Sequence, residues 1–326
     1  APVLDVWCTG QGTHPPRDTL AASLAVEPEQ VRVRHPLVGG GFGGRGDALV
    51  EFLVAAHCAR RLGRPVRWVQ SRTEQFFALP YGRGQRHRIR LGLSADGDIV
   101  GLDATMWADA GAYPHMGPML AAAGRRQCSG MYRVPRLRYR YGAAVTNAPP
   151  VGAYRGAGQP EVNAALERAV DAAARLAGLD PVEVRRRNLL TPDDLPYDTG
   201  LGITIDSGDP VAALDAALDA VDAPRRRVEA AARRAAGAAR VVGIGVGCYS
   251  QTAGSGDDPD FARLDLDADG TVHVSCSSSA HGQGHHSMWA RLASAELGIA
   301  AGSVRVTDSD SAATRFGVST GGSRST

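Results

Sequence analysis

The stretch Gly39-Gly40-Gly41-Phe42-Gly43-Gly44 decides how the rest of this chain is interpreted. A β-forming run, residues 31–38, precedes it, and an apolar run with helical spacing, residues 47–62, follows it. Five glycines in six positions allow positive φ angles and a close approach of the backbone to another group. The stretch therefore predicts a loop at which main-chain atoms contact a ligand.

Composition places the chain among ordinary globular proteins and excludes several classes of function. Its 326 residues leave room for two or three domains, and its net charge of +2 gives no electrostatic basis for binding nucleic acid or a membrane surface. All 36 basic residues are arginine, which excludes lysine as a Schiff-base former or general base. No apolar run reaches 18 residues, so we expect no membrane span.

The cysteines predict neither a disulfide framework nor a cysteine-ligated metal site. They are odd in number, far apart and without a C-x-x-C pair: Cys8, Cys58, Cys128, Cys248 and Cys276. This usage is typical of a reducing compartment, and the N-terminal residues predict a strand rather than a signal peptide. We therefore expect a cytoplasmic protein, and the absence of a starting Met leads us to expect that it belongs to a longer polypeptide.

Periodicity predicts an α+β fold with mixed sheets, hairpins and packed helices. The predicted strands are 3–8, 31–35, 66–70, 86–93, 99–107, 137–146, 241–249, 261–266, 271–276 and 303–307. The predicted helices are 16–24, 47–62, 160–176, a helix capped by Asp180, two solvated helices within 206–239, and 286–297. We predict a first domain at 1–205, a helical linker at 206–239 and a second domain at 240–326.

An internal repeat relates the two ends of the chain. Gly10-Gln11-Gly12 and Gly282-Gln283-Gly284 each follow a predicted strand and precede a predicted helix. A Val-Arg-Val strand begins 21 residues after Gly10 and 22 residues after Gly282, and a glycine-rich loop follows each strand. The matched order and spacing predict two related modules that hold a ligand between them.

The glycine run also satisfies the dinucleotide-binding pattern G-x-G-x-x-G through Gly39, Gly41 and Gly44. The acidic residue expected about twenty residues further on is missing at that distance, because Glu74 lies 30 residues beyond Gly44. The segments that follow predict a hairpin rather than a series of βαβ units. An NAD(P)-dependent dehydrogenase remains an alternative, as does a purely structural glycine turn.

Two later loops carry polar groups suited to an anion. Arg155 lies among small residues before a predicted helix, where its forked guanidinium suits an anion or carbonyl, although a salt bridge would explain it equally well. The loop Gly321-Gly322-Ser323-Arg324 offers amide, hydroxyl and guanidinium donors suited to phosphate. His281 and His285 have metal-ligand spacing, but the glycines between them predict a loop whose polar residues contact a ligand.

Four segments together resemble the molybdenum hydroxylases, the xanthine dehydrogenase/aldehyde oxidase family, and specifically part of their molybdopterin-binding large subunit. These segments are residues 39–44, 153–158, 282–284 and 320–325, and residues 180–189 are similar to a further family segment. Each segment is a weak signal alone, whereas four in the family's order are specific. The resemblance implies two related molybdopterin-binding modules.

The resemblance also implies a molybdopterin cofactor with molybdenum, in its cytosine dinucleotide form, and no metal ligand from a protein side chain. The cofactor-binding residues it implies are Gln11, Gly41, Phe42, Gly43, Arg155, Gln283, Gly284, Gly322, Ser323 and Arg324. Phe42 and Gly43 would lie against an oxo ligand, and Gln11 would hydrogen-bond an oxo group. Arg155 would lie at the edge of the cofactor and substrate, Gln283 would contact the pterin, and residues 322–324 would contact the phosphates or pterin.

The implied reaction is hydroxylation of an aldehyde or N-heterocycle with oxygen from water, and electrons pass to 2Fe-2S and FAD groups on partner subunits. The family's catalytic Glu follows the segment that matches residues 320–325, and this sequence stops before it. We therefore expect no catalytic base within residues 1–326, an inactive isolated fragment, and the rest of the large subunit as a partner. A non-catalytic molybdopterin-binding or assembly subunit is the alternative.

Overall fold

A computed structural model describes residues 2–46, 49–253 and 259–325, in which helices and strands mix along the chain as the α+β prediction requires. The strands are β1 (Leu4–Trp7), β2 (Val31–Arg34), β3 (Gln85–Leu93), β4 (Ile99–Gly111), β5 (Leu137–Val145), β6 (Tyr197–Asp198), β7 (Thr204–Ile205), β8 (Ala262–Leu266), β9 (Val272–Cys276) and β10 (Val304–Thr307). The helices are α1 (His14–Leu24), α2 (Val50–Leu62), α3 (Arg72–Ala78), α4 (Gly117–Arg125), α5 (Gln159–Ala177), α6 (Pro181–Asn188), α7 (Pro210–Ala220), α8 (Ala223–Ala235) and α9 (His285–Leu297).

The chain forms two compact units, and each is assembled from segments that are distant in sequence. Unit 1 comprises Ala1–Gly82, Gly152–Arg155 and Thr252–Thr326, and unit 2 comprises Arg83–Val151 and Gly156–Gln251. Both ends of the chain thus belong to unit 1, whereas the predicted domains follow chain order. The boundaries 1–205, 206–239 and 240–326 remain a prediction.

Unit 1 contains the sequence repeat as two β-α-β modules. In module 1, β1 and β2 pair in parallel across α1, and in module 2, β9 and β10 pair in parallel across α9. A short 3-10 turn precedes the second strand of each module, at Pro28–Gln30 and at Ala301–Ser303. Strand β8 extends the module 2 sheet in the antiparallel direction. The prediction of two related modules is therefore confirmed.

Each module buries one face of its helix on its own strand pair. Helix α1 packs Leu20 and Leu24 against Val31 and Val33, and α9 packs Ala293 against the apolar residues of β9 and β10. Full burial of such an aliphatic side chain is worth about 1.5–3 kcal/mol. This packing fixes the β–α turn and the loop after the second strand, where the predicted ligand-binding residues lie.

Unit 2 is built on a three-stranded sheet with the order β3-β4-β5. Strand β4 is antiparallel to β3 and parallel to β5. Helix α5 buries Val162, Leu166 and Val170 in the core on one side of this sheet. Asp180 caps α6 as predicted, because its carboxylate accepts a hydrogen bond from the Val182 amide at 2.7 Å.

A buried ion pair holds α5 and α6 together inside unit 2. Arg185 is fully buried and donates to the Glu167 carboxylate at 2.9 Å and to the Asp171 carboxylate at 2.8 Å. The Tyr132 hydroxyl donates to the same Glu167 carboxylate at 2.7 Å. Burial lowers the pKa of the Arg185 guanidinium, but the Glu167 carboxylate and its neighbours outweigh this and raise the pKa above its usual range.

Two predicted strands are wrong. Residues 66–70 and 241–249 contain β-branched side chains, but neither stretch forms a strand in the structure. Neither has a partner strand among the described residues, and an unpartnered strand leaves its backbone amides and carbonyls unpaired. In the second stretch the Cys248 amide donates instead to Glu167, at 2.8 Å.

The other differences are the short strand pair β6–β7, which was not predicted, and several helices. The apolar run predicted to be helical from residue 47 is helical from Val50, and Asp47 lies outside the described residues. The short helices α3 and α4 were not predicted. Helices α7 and α8 occur within 206–239 as predicted, although Leu214 of α7 is buried in the unit 2 core rather than solvated. No helix in the described part of the chain is long and apolar enough to cross a bilayer.

Candidate functional site

All ten predicted cofactor-binding residues lie in unit 1, although they come from three separate segments of the chain. They occupy five loops: L1 (residues 10–13), L2 (39–46), L3 (152–155), L4 (277–284) and L5 (319–325). L1 and L4 are the β–α turns of modules 1 and 2, and L2 and L5 follow the second strand of each module. The sequence repeat therefore places its glycine-rich loops at equivalent ends of the two modules.

Gln11 joins three of these loops. Its side-chain Oε1 accepts from the Gly43 amide at 2.8 Å and from the Arg45 amide at 3.4 Å, and its Nε2 donates to the Thr320 carbonyl at 2.9 Å. Its main-chain carbonyl also accepts from the Thr320 amide at 2.7 Å. The side chain is buried, and these contacts use one of the two N–H groups on Nε2. Gln11 thus fixes L1 against L2 and L5.

L2 is pressed against L1 and L3 so closely that glycine is required at two positions. A Cβ atom at Gly41 would lie 2.6 Å from the Gln11 side chain, and one at Gly43 would lie 2.7 Å from the Ala153 carbonyl oxygen. Gly43 also has a φ of +97°, which side chains disfavour. The Arg155 amide donates to the Phe42 carbonyl at 2.8 Å, which ties L3 to L2.

Phe42 adopts a backbone conformation that is uncommon for a bulky residue. Its φ is +54°, in the left-handed region, and its ring is half exposed. Ser323 of L5, which occupies a comparable loop in module 2, has a φ of +56°. Strained residues of this kind collect at ligand-binding loops, where the surrounding contacts hold them in place. Both modules therefore carry strain at the loop predicted to contact the cofactor.

Gln283 organises L4 and connects it to L5. Its Oε1 accepts from the His281 amide at 2.7 Å, and its Nε2 donates to the Ser279 carbonyl at 3.2 Å. The Thr320 hydroxyl donates to the same Ser279 carbonyl at 3.1 Å. The Nε2 of Gln283 also lies 3.1 Å from Nε2 of His285. The side-chain N–H groups of Gln283 thus have protein acceptors, and its Oε1 keeps a lone pair for a ligand.

Two buried histidines occupy the first position of α1 and α9. Nε2 of His14 lies 3.1 Å from the Thr314 carbonyl, which only accepts, so His14 carries its proton on Nε2. Nε2 of His285 faces the donating Nε2 of Gln283, so a neutral His285 carries its proton on Nδ1. Burial lowers the pKa of both imidazoles, which favours their neutral forms. His14 lies in the first copy of the repeat and His285 in the second, but their pairing at the first helical positions was not predicted.

An ion pair and a contact between two hydroxyl groups fix the residues of L5 in place. Arg324 forms an ion pair with Asp260 at 3.6 Å, and the Ser278 and Ser325 hydroxyls lie 3.2 Å apart. Gly322 has a φ of +65° and Ser323 follows it in the left-handed region. Ser279 is fully buried, and its hydroxyl has no hydrogen-bond partner among the described residues. The serine run 277–279 was not predicted as part of the site; its clue was three consecutive hydroxyls before the Gly-Gln-Gly motif.

The carboxylates nearest to these loops already have partners. Asp308 accepts from the Ala280 amide at 2.7 Å and lies 2.9 Å from Nε2 of His286, and Asp310 pairs with Arg32. The described residues contain no group of three or more His, Cys, Asp or Glu side chains placed to hold a metal ion. The loops therefore offer amides, hydroxyls and a guanidinium around tight glycine turns. This donor set, with the unpaired Ser279 hydroxyl, fits an anionic cofactor that brings its own metal ligands.

Two family models match the chain, and both describe a molybdopterin cofactor-binding domain. The first matches residues 2–189 and the second residues 216–326. Loops L1, L2 and L3 lie in the first match, and L4 and L5 lie in the second. Since the first model alone covers more than half of the chain, the comparison establishes the family.

Individual relatives agree with the family models. The chain is 35% identical, over 99% of its length, to the 6-hydroxypseudooxynicotine dehydrogenase complex subunit gamma of Paenarthrobacter nicotinovorans, and 32% identical, over 99%, to the carbon monoxide dehydrogenase large chain of Hydrogenophaga pseudoflava. Its structure is similar to quinoline 2-oxidoreductase from Pseudomonas putida 86, with a TM-score of 0.88 and 31% identity over 99% of this chain.

The matched region is only part of each relative. The chain spans 41% of the first relative, 42% of the second and 42% of the quinoline 2-oxidoreductase chain. Module 1 lies in the region that the first family model matches, and module 2 lies in the region that the second model matches. The resemblance to the large subunit of molybdenum hydroxylases is confirmed, and the chain belongs to the molybdopterin cofactor-binding domain family.

Proposed function

We propose that this chain is the molybdopterin-binding portion of a molybdenum hydroxylase that oxidises an aldehyde or an N-heterocycle with water as the oxygen source. The observation that carries the proposal is the buried Gln11 side chain, which joins L1, L2 and L5 through the Gly43 amide and the Thr320 carbonyl. The tight approach of Gly41 and Gly43 to L1 and L3 leaves a backbone-lined surface for the cofactor. Among the described residues, no other group of loops combines strained glycine turns from both modules.

The chain's own residues hold and orient the cofactor in this proposal. Gln11, Gly41, Phe42, Gly43 and Arg155 contact it from module 1 and L3. The residues that contact it from module 2 are Gln283, Gly284, Gly322, Ser323 and Arg324. When bound, the molybdenum group supplies the two-electron oxidation of the substrate carbon. The cytosine dinucleotide form suits this site because L5 provides extra amide, hydroxyl and guanidinium donors for a phosphate.

The general base that takes up a proton during the reaction lies, in this proposal, outside residues 1–326. Asp308, Asp310 and Asp260 are occupied by hydrogen bonds or ion pairs, so none of them has the exposed, uncommitted carboxylate that a general base needs. We further propose a cytoplasmic complex in which separate subunits carry 2Fe-2S and FAD groups. The names of the relatives, a complex subunit gamma and a large chain, support partner subunits of this kind.

Cofactor analysis of the full-length protein from its native host tests the proposal. We expect stoichiometric molybdenum, a pterin that releases cytidine monophosphate on hydrolysis, and oxidation of an aldehyde or N-heterocycle with ¹⁸O incorporated from labelled water. Oxygen-18 from O₂ in the product would contradict the proposed oxygen source. Tight binding of NAD(P) without molybdenum or pterin would identify the dehydrogenase alternative instead.

The alternative of a non-catalytic binding or assembly subunit gives a different result in the same experiment. Such a subunit would retain molybdenum and pterin but would turn over no substrate, even with its partner subunits present. The two outcomes are separable because cofactor content and turnover are measured on one sample.

A further inference from the structure

Three neighbouring strands of unit 2 form a grid of nine residues on one face of the sheet, eight with side chains and one a glycine. Strand β4 places Asp103, Thr105 and Trp107 on this face, at alternate positions. The strand register sets Arg90, Arg88 and Arg86 of β3 opposite these three residues on one side, and sets Arg138, Arg140 and Gly142 of β5 opposite them on the other side. The opposite face of the same sheet packs on the core of unit 2.

The grid carries a strong local charge. Its five arginines and one aspartate give a formal charge of +4, although the whole chain has a net charge of only +2. Arg138 and Arg140 both contact Asp103, at 2.6 and 3.1 Å. Among the described residues, none of Arg86, Arg88 and Arg90 forms an ion pair at contact distance, although Arg90 lies opposite Asp103 and, after Arg138 and Arg140, contributes to the lowered pKa of its carboxylate. All three arginines are exposed. Like charges at neighbouring positions on one sheet face repel each other.

An exposed aromatic ring borders the arginines. Trp107 is 56% exposed and its ring covers Gly142, where a Cβ atom would lie 2.4 Å from the indole. All residues of the grid except Arg138 and Gly142 line a shallow cavity of about 310 Å³. Arginine and tryptophan are the residue types that dominate the centres of protein interfaces, because both combine a large contact area with directional polar groups.

We propose that this arginine grid is the docking surface for an acidic patch on another subunit of the enzyme complex. Carboxylates of the partner would satisfy Arg86, Arg88 and Arg90 and relieve their mutual repulsion, and Trp107 would provide the apolar anchor. The identification of the partner as a subunit of the complex rests on the proposed function. The chemistry of the partner surface, acidic and flat, rests on the grid alone.

Charge and size favour a protein surface over nucleic acid. The grid extends about 14 Å along the strands and about 10 Å across them, from the usual spacing of residues and strands, which is much smaller than the contact area of a DNA-binding domain. The low net charge of the chain also provides no wider basic surface to continue such a contact. A self-association through two copies of the grid would bring like charges together.

The test compares two sets of neutral substitutions in the full-length large subunit, co-purified with the other subunits of its complex. The grid variant is R86Q/R88Q/R90Q, and the matched control is R225Q/R226Q/R233Q on exposed positions of α8 in the same unit. We expect the dissociation constant for the partner subunit to rise about tenfold or more in the grid variant and to stay within about twofold in the control. The variant R86K/R88K/R90K keeps the charge and should retain most of the affinity.

Salt dependence and cofactor content complete the test. Wild-type affinity should fall as NaCl is raised, and the grid variant should lose most of this dependence because its charges are gone. The proposal would be overturned if the grid variant kept the wild-type dissociation constant, or if the purified large subunit had no partner subunit. It would also be overturned if the grid variant lost binding to duplex DNA but not to the partner subunit. Molybdenum and pterin content is measured on the same samples, so a failure of the proposed function is distinguishable from a failure of the docking surface.

Discussion

Gln11 is the residue on which the predicted site depends most directly, since one buried amide side chain binds groups from two other loops. Replacement by alanine would leave the Gly43 amide and the Thr320 carbonyl without their side-chain partner. An unsatisfied buried polar group costs about 1–3 kcal/mol. We expect Q11A to lower the melting temperature of the protein and to reduce molybdenum content, measured by thermal unfolding and elemental analysis.

A second variant, Q11E, keeps the shape of the side chain but changes its hydrogen bonding. The carboxylate would still accept from the Gly43 amide, but it would repel the Thr320 carbonyl rather than donate to it. If the donated hydrogen bond matters, Q11E should lose cofactor nearly as fully as Q11A. Normal molybdenum content in both variants would show that Gln11 does not organise the site.

The two buried histidines predict a loss of stability below neutral pH. Burial lowers the folded-state pKa of His14 and His285, so the unfolded chain, with an imidazole pKa of about 6.5, binds protons more readily than the folded chain. Their contribution is fully present above the unfolded pKa and is lost as the pH falls below it. We expect the melting temperature to fall between about pH 7 and about pH 5.

Glutamine at both positions should reduce this pH dependence, and the part due to His87, whose pKa burial also lowers, should remain. A glutamine amide can donate to the Thr314 carbonyl at position 14 and accept from Gln283 at position 285, and it does not titrate in this range. The control is H57Q at an exposed position of α2, which should leave the slope unchanged. A double variant H14Q/H285Q with the wild-type slope would exclude these histidines as its source.

Among the helices and strands, features that depend on a short stretch of sequence could be predicted, whereas the pairing of distant strands could not. The cap at Asp180, the hairpin at β3 and β4, and the repeated β-α-β modules all follow from short-range pattern and appear in the structure. The stretches 66–70 and 241–249 carry strand-forming residues but have no strand to pair with in the described chain. Residue type gives a preference for a strand, whereas hydrogen-bond partners decide whether one forms.

The candidate site shows the same division between local and distant information. Glycines 41 and 43 could be assigned to a tight loop because glycine permits positive φ angles and close backbone approaches that other residues disfavour. The contact between Gln11 and Thr320 could not be predicted from spacing, because 309 residues separate the two. The roles of Ser279 and His14 also depend on burial, which a hydroxyl or imidazole in a sequence does not reveal.

Substitution at the ion pair between α5 and α6 should lower the free energy of unfolding of unit 2 more than substitution at an exposed ion pair. E167Q would leave the fully buried Arg185 without its main counter-charge, and breaking such a pair typically costs about 3–5 kcal/mol. Urea unfolding of unit 2 should therefore shift to lower concentration in E167Q. The control E229Q, in the more exposed pairs of α8, should cost about 0–1 kcal/mol. Equal shifts in the two variants would contradict this assignment.

For the whole molecule, the division into two units predicts that a shortened chain loses one unit and keeps the other. A chain that ends after Gln251 retains all of unit 2 and lacks module 2 and L5 of unit 1. The amides of Val33 and His35 would then lose their acceptors at Ser311 and Ser309, whereas those of β4 would keep theirs. We expect hydrogen exchange to become fast in β2 and to stay slow in β4.

The full 326-residue chain provides the reference for this exchange experiment. Protection of β2 in the shortened chain, equal to that in the reference, would show that module 1 is stable without module 2. Loss of protection in β4 would show that unit 2 depends on the missing segment.

The contact between Gln11 and Thr320 also constrains the order of events during synthesis. The ribosome adds about 5–20 residues per second, so the separation of 309 positions between these partners delays their meeting by about 15–60 s. All of unit 2 emerges before Thr320, whereas L1 and L2, which can already bond to each other, must wait for their contact with L5. The five loops therefore exist as a set only after translation has passed residue 325, so a cofactor that contacts all of them cannot be held before that point.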